Sequence, residues 1–346
     1  MTLTATSATP SAAPPGPGRA MRFSVDGWDP TYGTSLELED ELDSSSAQVA
    51  VDVEVPAADW QPIGANPHLQ RPSAMLFVDG VRRIEARVWI DEVAGAAAAT
   101  EASAGLCASY AAGVVCCCAS GAHLLTVEAR RGLFTIAAHA ADVQTSAGTY
   151  VACHTTLKAD MPLSVILSSA LQSRLAEVEL VASHNARDEL AAHGIVGDDL
   201  LIVDGPLRGR THLPRAIGFV KSHRTAYLPA ELHPMVGALK AGERTPVFLM
   251  GTSWDRHSWY LRLPCNPGSP WAGVVRIECS ADLPNAEVIK LANLSQSTLC
   301  RYASTEYKDA RAPQNLYPIA GLERELRRRL GDPRLLYRAL RVSAVH

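Results

Sequence analysis

The sequence has 346 residues, 47% of them hydrophobic and 20% charged, with a formal net charge of −4. It can therefore bury a sizeable core, as one large domain with insertions or as two domains. The charge excludes a globally basic nucleic-acid binder, so any phosphate contacts must come from local patches. No apolar run reaches the roughly 18 residues of a membrane-spanning helix.

Residues 1–20 are rich in Ala, Ser, Thr and Pro and lack the apolar centre of a signal peptide, which reads as a disordered tail on a cytoplasmic protein. An arm follows over residues 21–72. Val25-Asp26-Gly27 reads as a turn, Leu36 to Asp43 is acidic, and Val49 to Val55 alternates apolar with acidic as a half-exposed strand should.

The main domain, residues 73–346, opens with Met75-Leu76-Phe77-Val78-Asp79-Gly80, an apolar run that ends on a carboxylate and reads as a buried strand stopping at Asp79. Arg82 to Asp91 alternates as a second strand, and the Ala/Gly-rich residues 94–105 form a loop. Leu106–Ala119 and His123–Ala137 are two further strands, and Tyr150–Leu157 is another. The period then changes. Pro162 to His193 carries Leu171, Leu175, Val178 and Val181/Ala182 at helical spacing and stops at Gly194. Leu201-Ile202-Val203-Asp204-Gly205-Pro206-Leu207 nearly copies the run at Asp79, and Ala216–Lys221 is the next strand. A helix over Glu231–Lys240 and strands near Pro246–Met250, Ser258–Leu263 and Ala272–Cys279 precede three helices, Asn285–Tyr302, Ala320–Leu330 and Pro333–Leu340. Antiparallel strands, then a helix, then a strand returning beside the first make an α/β arrangement. The order resembles an RNase H-like mixed sheet flanked by helices, here with an N-terminal extension and a helical C-terminus.

Two strands that each deliver an Asp at their ends set two carboxylates side by side, which costs free energy unless a cation lies between them. The competing reading is that Asp-Gly is simply a favoured turn dipeptide. In such a sheet the helix runs antiparallel to the strand it feeds. Glu177 and Glu179 then lie toward Asp204, while Asp188 and Glu189 lie roughly 16 Å further along the helix axis. Glu177 is the expected third acid, with Glu179 in reserve. Asp79, Glu177 and Asp204 would form an all-oxygen site suited to Mn²⁺ or Mg²⁺, and two such ions can activate water against a phosphodiester. Arg208, Arg210, Lys221, His223 and Arg224 fall where they could meet DNA phosphates. Trp254 to Arg262 interleaves aromatic and basic residues, as base-stacking segments and half-buried strands both do. The eight cysteines include the run Cys116-Cys117-Cys118 but no C-x-x-C pair. That is neither metal-ligand spacing nor a secreted disulfide framework, and it reads as buried thiols in a reducing compartment.

Phe77-Val78-Asp79-Gly80, Arg174-x-x-Glu177, Val203-Asp204-Gly205-Pro206-Leu207, Gly218-Phe219-Val220-Lys221-Ser222-His223 and Arg311-Ala312-Pro313-Gln314-Asn315-Leu316-Tyr317-Pro318 together resemble the NurA nuclease family, from about residue 22 to the end. The resemblance implies a manganese-dependent, homodimeric DNA nuclease that works with the hexameric translocase HerA in resecting DNA ends. It puts the metal chemistry on Asp79, Glu177 and Asp204. Many members carry a histidine five residues after a Pro on a C-terminal helix, and this sequence has Glu323 there, a possible further ligand. Two alternatives stand beside this reading: a partner subunit with weakened chemistry, and another RNase H-like nuclease acting on RNA. Actin-like ATPases share Asp-Gly turns, but no pair of Gly-rich phosphate loops is evident.

Overall fold

The structure is a computed structural model, and it describes residues 23–25, 47–92, 101–221, 227–265, 271–305 and 313–344. The expected tail over 1–20 and the acidic stretch 36–43 lie outside these residues. In chain order the strands are β1 (Phe23–Val25), β2 (Gln48–Ala50), β3 (Ala74–Glu92), β4 (Glu101–Cys118), β5 (Gly121–Thr135), β6 (Val143–Thr145) and β7 (Gly148–His154). Helix α1 (Leu163–Ala192) follows, then β8 (Asp199–Asp204), β9 (Ala216–Val220), α2 (His233–Ala238), β10 (Phe248–Gly251), β11 (Asp255–Arg262) and β12 (Val274–Ser280). The chain closes with α3 (Asn285–Leu299), α4 (Tyr317–Arg329) and α5 (Pro333–Ser343).

The strands form one mixed sheet ordered β2-β10-β11-β12-β9-β8-β3-β4-β5-β7-β6, with β1 also on β3. β3, β4 and β5 are antiparallel neighbours, whereas β8 lies parallel to β3 and β9 parallel to β8. The sheet splits the main core into two layers. Leu76 and Val78 face α1, packing with Leu171, Leu175, Val178, Ala182 and Ala186. Met75, Phe77 and Val81 face the other way, packing with Ile202, Phe219, Leu291, Leu322 and Leu326 beneath α3 and α4. That alternation is the two-residue period of a strand buried on both faces.

One expectation is corrected. β3 does not stop at Asp79; it runs through Asp79-Gly80 as a single strand of 19 residues. Gly80 is therefore a close-packing residue, not a turn residue. A Cβ there would collide with Glu179 Oε1 and lie 2.8 Å from Leu175 Cδ1, so its absence lets α1 settle onto the strand. Of the expected loop over 94–105, the residues from Glu101 onward belong to β4, and 94–100 lie outside the described residues. Of the predicted Val49–Val55 strand, only Val49 and Ala50 pair, together with Gln48 before them, on β10 at the sheet edge. Glu54 beyond it accepts two hydrogen bonds of 2.8 Å from the buried Arg244 guanidinium, which also donates to Asn293. Helix α1 matches its predicted span almost to the residue and ends before Gly194 at φ +80°, the left-handed position that glycine takes at no steric cost. The helix packs over β3, β4 and β5 and runs antiparallel to β8, tied to it by Arg187 on Asp199 at the strand's start and by Glu179 on Arg210 just past its finish.

Candidate active site

Asp79 lies within β3 and Asp204 ends β8. The parallel register pairs Val78 with Val203, so the two carboxylates leave neighbouring strands at one level, with backbones about 5 Å apart. Strand alternation points both toward the face covered by α3 and α4, the face of Phe77 and Ile202. Lys221 follows β9 on the same face. Its Nζ lies 2.7 Å from Asp204 Oδ2 and 3.2 Å from Oδ1 of Asn315, a buried residue just before α4. Glu179 comes from the α1 side over Gly80, buried and ion-paired with the largely buried Arg210.

The electrostatics reflect this crowding. Burial, then the charges of Asp204 and Glu179, hold the Asp79 carboxyl well above the usual carboxylate range; the Gly80 N–H, 2.7 Å away, and Lys221 oppose the shift. Burial also raises Glu179, with Arg210 opposing and Asp204 adding to the rise. Asp79 and Asp204, with Glu179 near them from the α1 side, bring excess negative charge and oxygen donors together, and that chemistry fits a hard divalent cation such as Mn²⁺ or Mg²⁺. Asp204 and Glu179 turn toward Lys221 and Arg210, and the three carboxylates are not gathered within 4.8 Å of one another.

Glu177 is exposed and pairs with Arg174 at 2.7 Å along the same helix, while Glu179, two residues on, turns in over Gly80 to Arg210, close enough for its charge to raise Asp79. The reason is helical phase. Glu179 stands four residues after Leu175 and three before Ala182, inside the buried stripe, whereas Glu177 is rotated out of it. Arg210 and Lys221, expected to meet phosphates, are engaged with acids of the cluster; Arg208 is exposed on the turn after Asp204. His223 and Arg224 lie outside the described residues. Glu323 lies on α4, which packs on β3 and β4, and it pairs with Arg327 at 2.8 Å. Leu322 and Leu326 beside it approach Gly113, the register partner of Asp79. In the aromatic stretch, Trp259 and Tyr260 are buried core residues, and Arg256 lies over the Trp254 ring at 4.5 Å.

Sequence reasoning missed Glu278. This buried carboxylate on β12 accepts from the Leu207 N–H at 2.6 Å and pairs with Arg256 at 3.2 Å and Arg276 at 2.8 Å. It sits against Gly218, where a Cβ would meet its Cγ at 2.9 Å, and so fastens the turn that leaves Asp204. Its signal was legible: Arg276 and Glu278 are the two charges in an otherwise apolar strand, two residues apart and hence on one face.

No family model and no curated protein matches this sequence. Among solved structures the chain is similar to the NurA nuclease from Sulfolobus solfataricus, with 10% identity and a TM-score of 0.40, over 78% of this chain and 84% of that one.

Proposed function

We propose that the chain is a metal-dependent DNA nuclease, with Asp79, Asp204 and Glu179 as the metal-holding acids. The observation that carries this reading is the pairing of Asp79 and Asp204 at one level of two parallel strands, with a buried glutamate of the intervening helix near enough to raise Asp79. The antiparallel β5-β4-β3 run continued by parallel β8 and β9 supports an RNase H-like sheet, and the motif series in the sequence supports the NurA family within it. Mn²⁺ or Mg²⁺ bound there would supply a Lewis acid and a lowered pKa for a bound water. The protein's own residues do the rest. Asp79 and Asp204 fix the donor geometry from rigid strands. Arg210 and Lys221 neutralise the acids at rest and, once released, stand ready for phosphate oxygens. Glu323 serves as a fourth acid from the α4 side. The homodimer, the HerA-type hexameric partner, end resection and a cytoplasmic location belong to this reading through the same sequence resemblance. No helix among the described residues is long and apolar enough to cross a membrane.

The test is end-labelled DNA incubated with purified protein in Mn²⁺, Mg²⁺ or EDTA, with and without a HerA-type translocase. Cleavage that needs the metal and disappears in Asp204→Asn is expected. No cleavage in any metal, with or without the translocase, sinks the nuclease reading. It favours the second one, a docking subunit with weakened chemistry, toward which the Arg210 and Lys221 ion pairs and the glutamate at 323 point. Cleavage of RNA but not DNA would move the substrate class and leave the site intact.

A further inference from the structure

Among the described residues, one trio of metal-ligand side chains has its donor atoms all within 4.8 Å of one another: Cys116, Cys118 and His123. It forms where β4 turns into β5. Two residues apart on a strand, Cys116 and Cys118 share a face, and Cys117 between them packs into the opposite core layer. The hairpin register then sets His123 directly across from Cys116. Gly121, at φ +100°, makes the short return possible, since that conformation is strained for any residue with a Cβ. Cys116 is buried, Cys118 half-buried and His123 exposed, so the trio opens to solvent on one side. Nearby polar groups steady two of the three. Ser120 Oγ is 3.2 Å from Cys118 Sγ, and the Gly121 carbonyl lies 3.4 Å from His123 Nδ1, a backbone partner of the kind that orients ligating imidazoles.

The position is separate from the acid cluster. Cys116 and Cys118 pair with Leu76 and Ala74, whereas Asp79 pairs with Gly113, which sets the thiols about 10–16 Å away along the strands. They also lie on the sheet face opposite Asp79 and Asp204, in the layer packed against α1. The chemistry differs as well. Thiolate and imidazole select thiophilic cations, while carboxylates select hard ones.

We propose that Cys116, Cys118 and His123 bind one thiophilic d¹⁰ cation, Zn²⁺ or Cu⁺, with the remaining coordination position open to solvent. Binding converts both thiols to thiolates, and the two protons leave to bulk water. This site does not depend on the nuclease reading.

The experiment uses full-length, reduced, metal-stripped protein. Titrated with Co²⁺ as a spectroscopic stand-in, it should give a sulfur-to-cobalt charge-transfer band in the near ultraviolet that saturates at one equivalent and is bleached by Zn²⁺. A parallel Cu⁺ titration against a chromophoric chelator tells which of the two ions is held more tightly. Because Cys116 is buried, the variants are Cys118→Ser and His123→Ala, each checked for an unchanged melting temperature in EDTA. Each should weaken Zn²⁺ or Cu⁺ binding by more than the roughly 10–100-fold lost with an outer-shell partner, and Cys118→Ser should also cut the charge-transfer intensity. The proposal is overturned if the reduced wild type shows no such band and no stoichiometric uptake. Binding indifferent to both variants overturns it too.

Discussion

Asp79 is a carboxyl that burial and two neighbouring acids hold protonated to a higher pH than a free one. A folded-state pKa above the unfolded value means the native chain binds the extra proton. Stability is then intact below the ordinary carboxyl value of about 3.9 and is lost as pH rises toward the raised folded value. In EDTA, Asp79→Asn should therefore melt above the wild type at pH 7–8, with the gap closing in acid. A pH-independent offset between the two melting curves would contradict the placement of Asp79 among like charges. Glu177 and Glu179 give a second contrast. Glu179→Gln leaves a largely buried Arg210 without its carboxylate, a break worth about 3–5 kcal/mol, and should remove most cleavage. Glu177→Gln, on an exposed pair, should change stability by under about 0.5 kcal/mol and leave the rate near wild type. The reverse pattern in denaturant titration and rate assays would return the third acid to Glu177. At 323, Glu323→Ala should cost on the order of a hundredfold in rate if this side chain completes the metal shell, while Glu323→His should retain activity. Two variants that match the wild type across a manganese titration would reduce Glu323 to the helix pair it makes with Arg327.

Helix α1 was legible because one apolar stripe, a proline at its entry and a glycine at its exit all agree on its span. Its direction, antiparallel to β8, was legible from connectivity alone. The choice between two glutamates two residues apart went to Glu177, which the structure leaves exposed, although the stripe through Leu175 and Ala182 includes Glu179. β3 was misread for a different reason. Asp-Gly is a strong local turn signal, and it is overruled here by tertiary packing, with Gly80 serving the helix above it. Gly80→Ala must displace Leu175 or Glu179, and overpacking of this kind costs about 1–3 kcal/mol. The melting temperature should fall and cleavage should fall with it. An alanine variant as stable and active as the wild type would mean that α1 rides higher on the sheet. Pairings across strands, such as His123 opposite Cys116, have no signature in linear spacing, since they exist only once the hairpin register is set.

Across the whole molecule, a few buried ion pairs tie distant stretches of chain to the sheet. Arg244 joins Glu54 of the early segment to Asn293 of α3, with both carboxylate oxygens engaged. The Val247 N–H also donates to Glu54 at 2.9 Å. Arg244→Ala strands that carboxylate in a largely buried place, and the expected loss is about 3–5 kcal/mol. Residues 47–72 should become the first site of limited proteolysis. Digestion kinetics identical to the wild type would show that β2 on β10 holds the segment by itself.

The unbroken course of β3 makes the acidic site sensitive to chain length in a position-dependent way. Asp79 is its sixth residue, with five before it and thirteen after, and its face is set only by counting from the strand's start. Deleting or inserting one residue between 74 and 78 would turn the aspartate toward α1 and bring an apolar neighbour beside Asp204, since a one-residue slip exchanges the two faces. Further along, the ladder with β4 already absorbs an extra residue between Ile84 and Ala86. A single-residue deletion scan along β3 should therefore be lethal to activity upstream of Asp79 and far milder beyond Ala86, dividing one continuous strand into a segment that encodes the chemistry and a segment free to vary in length.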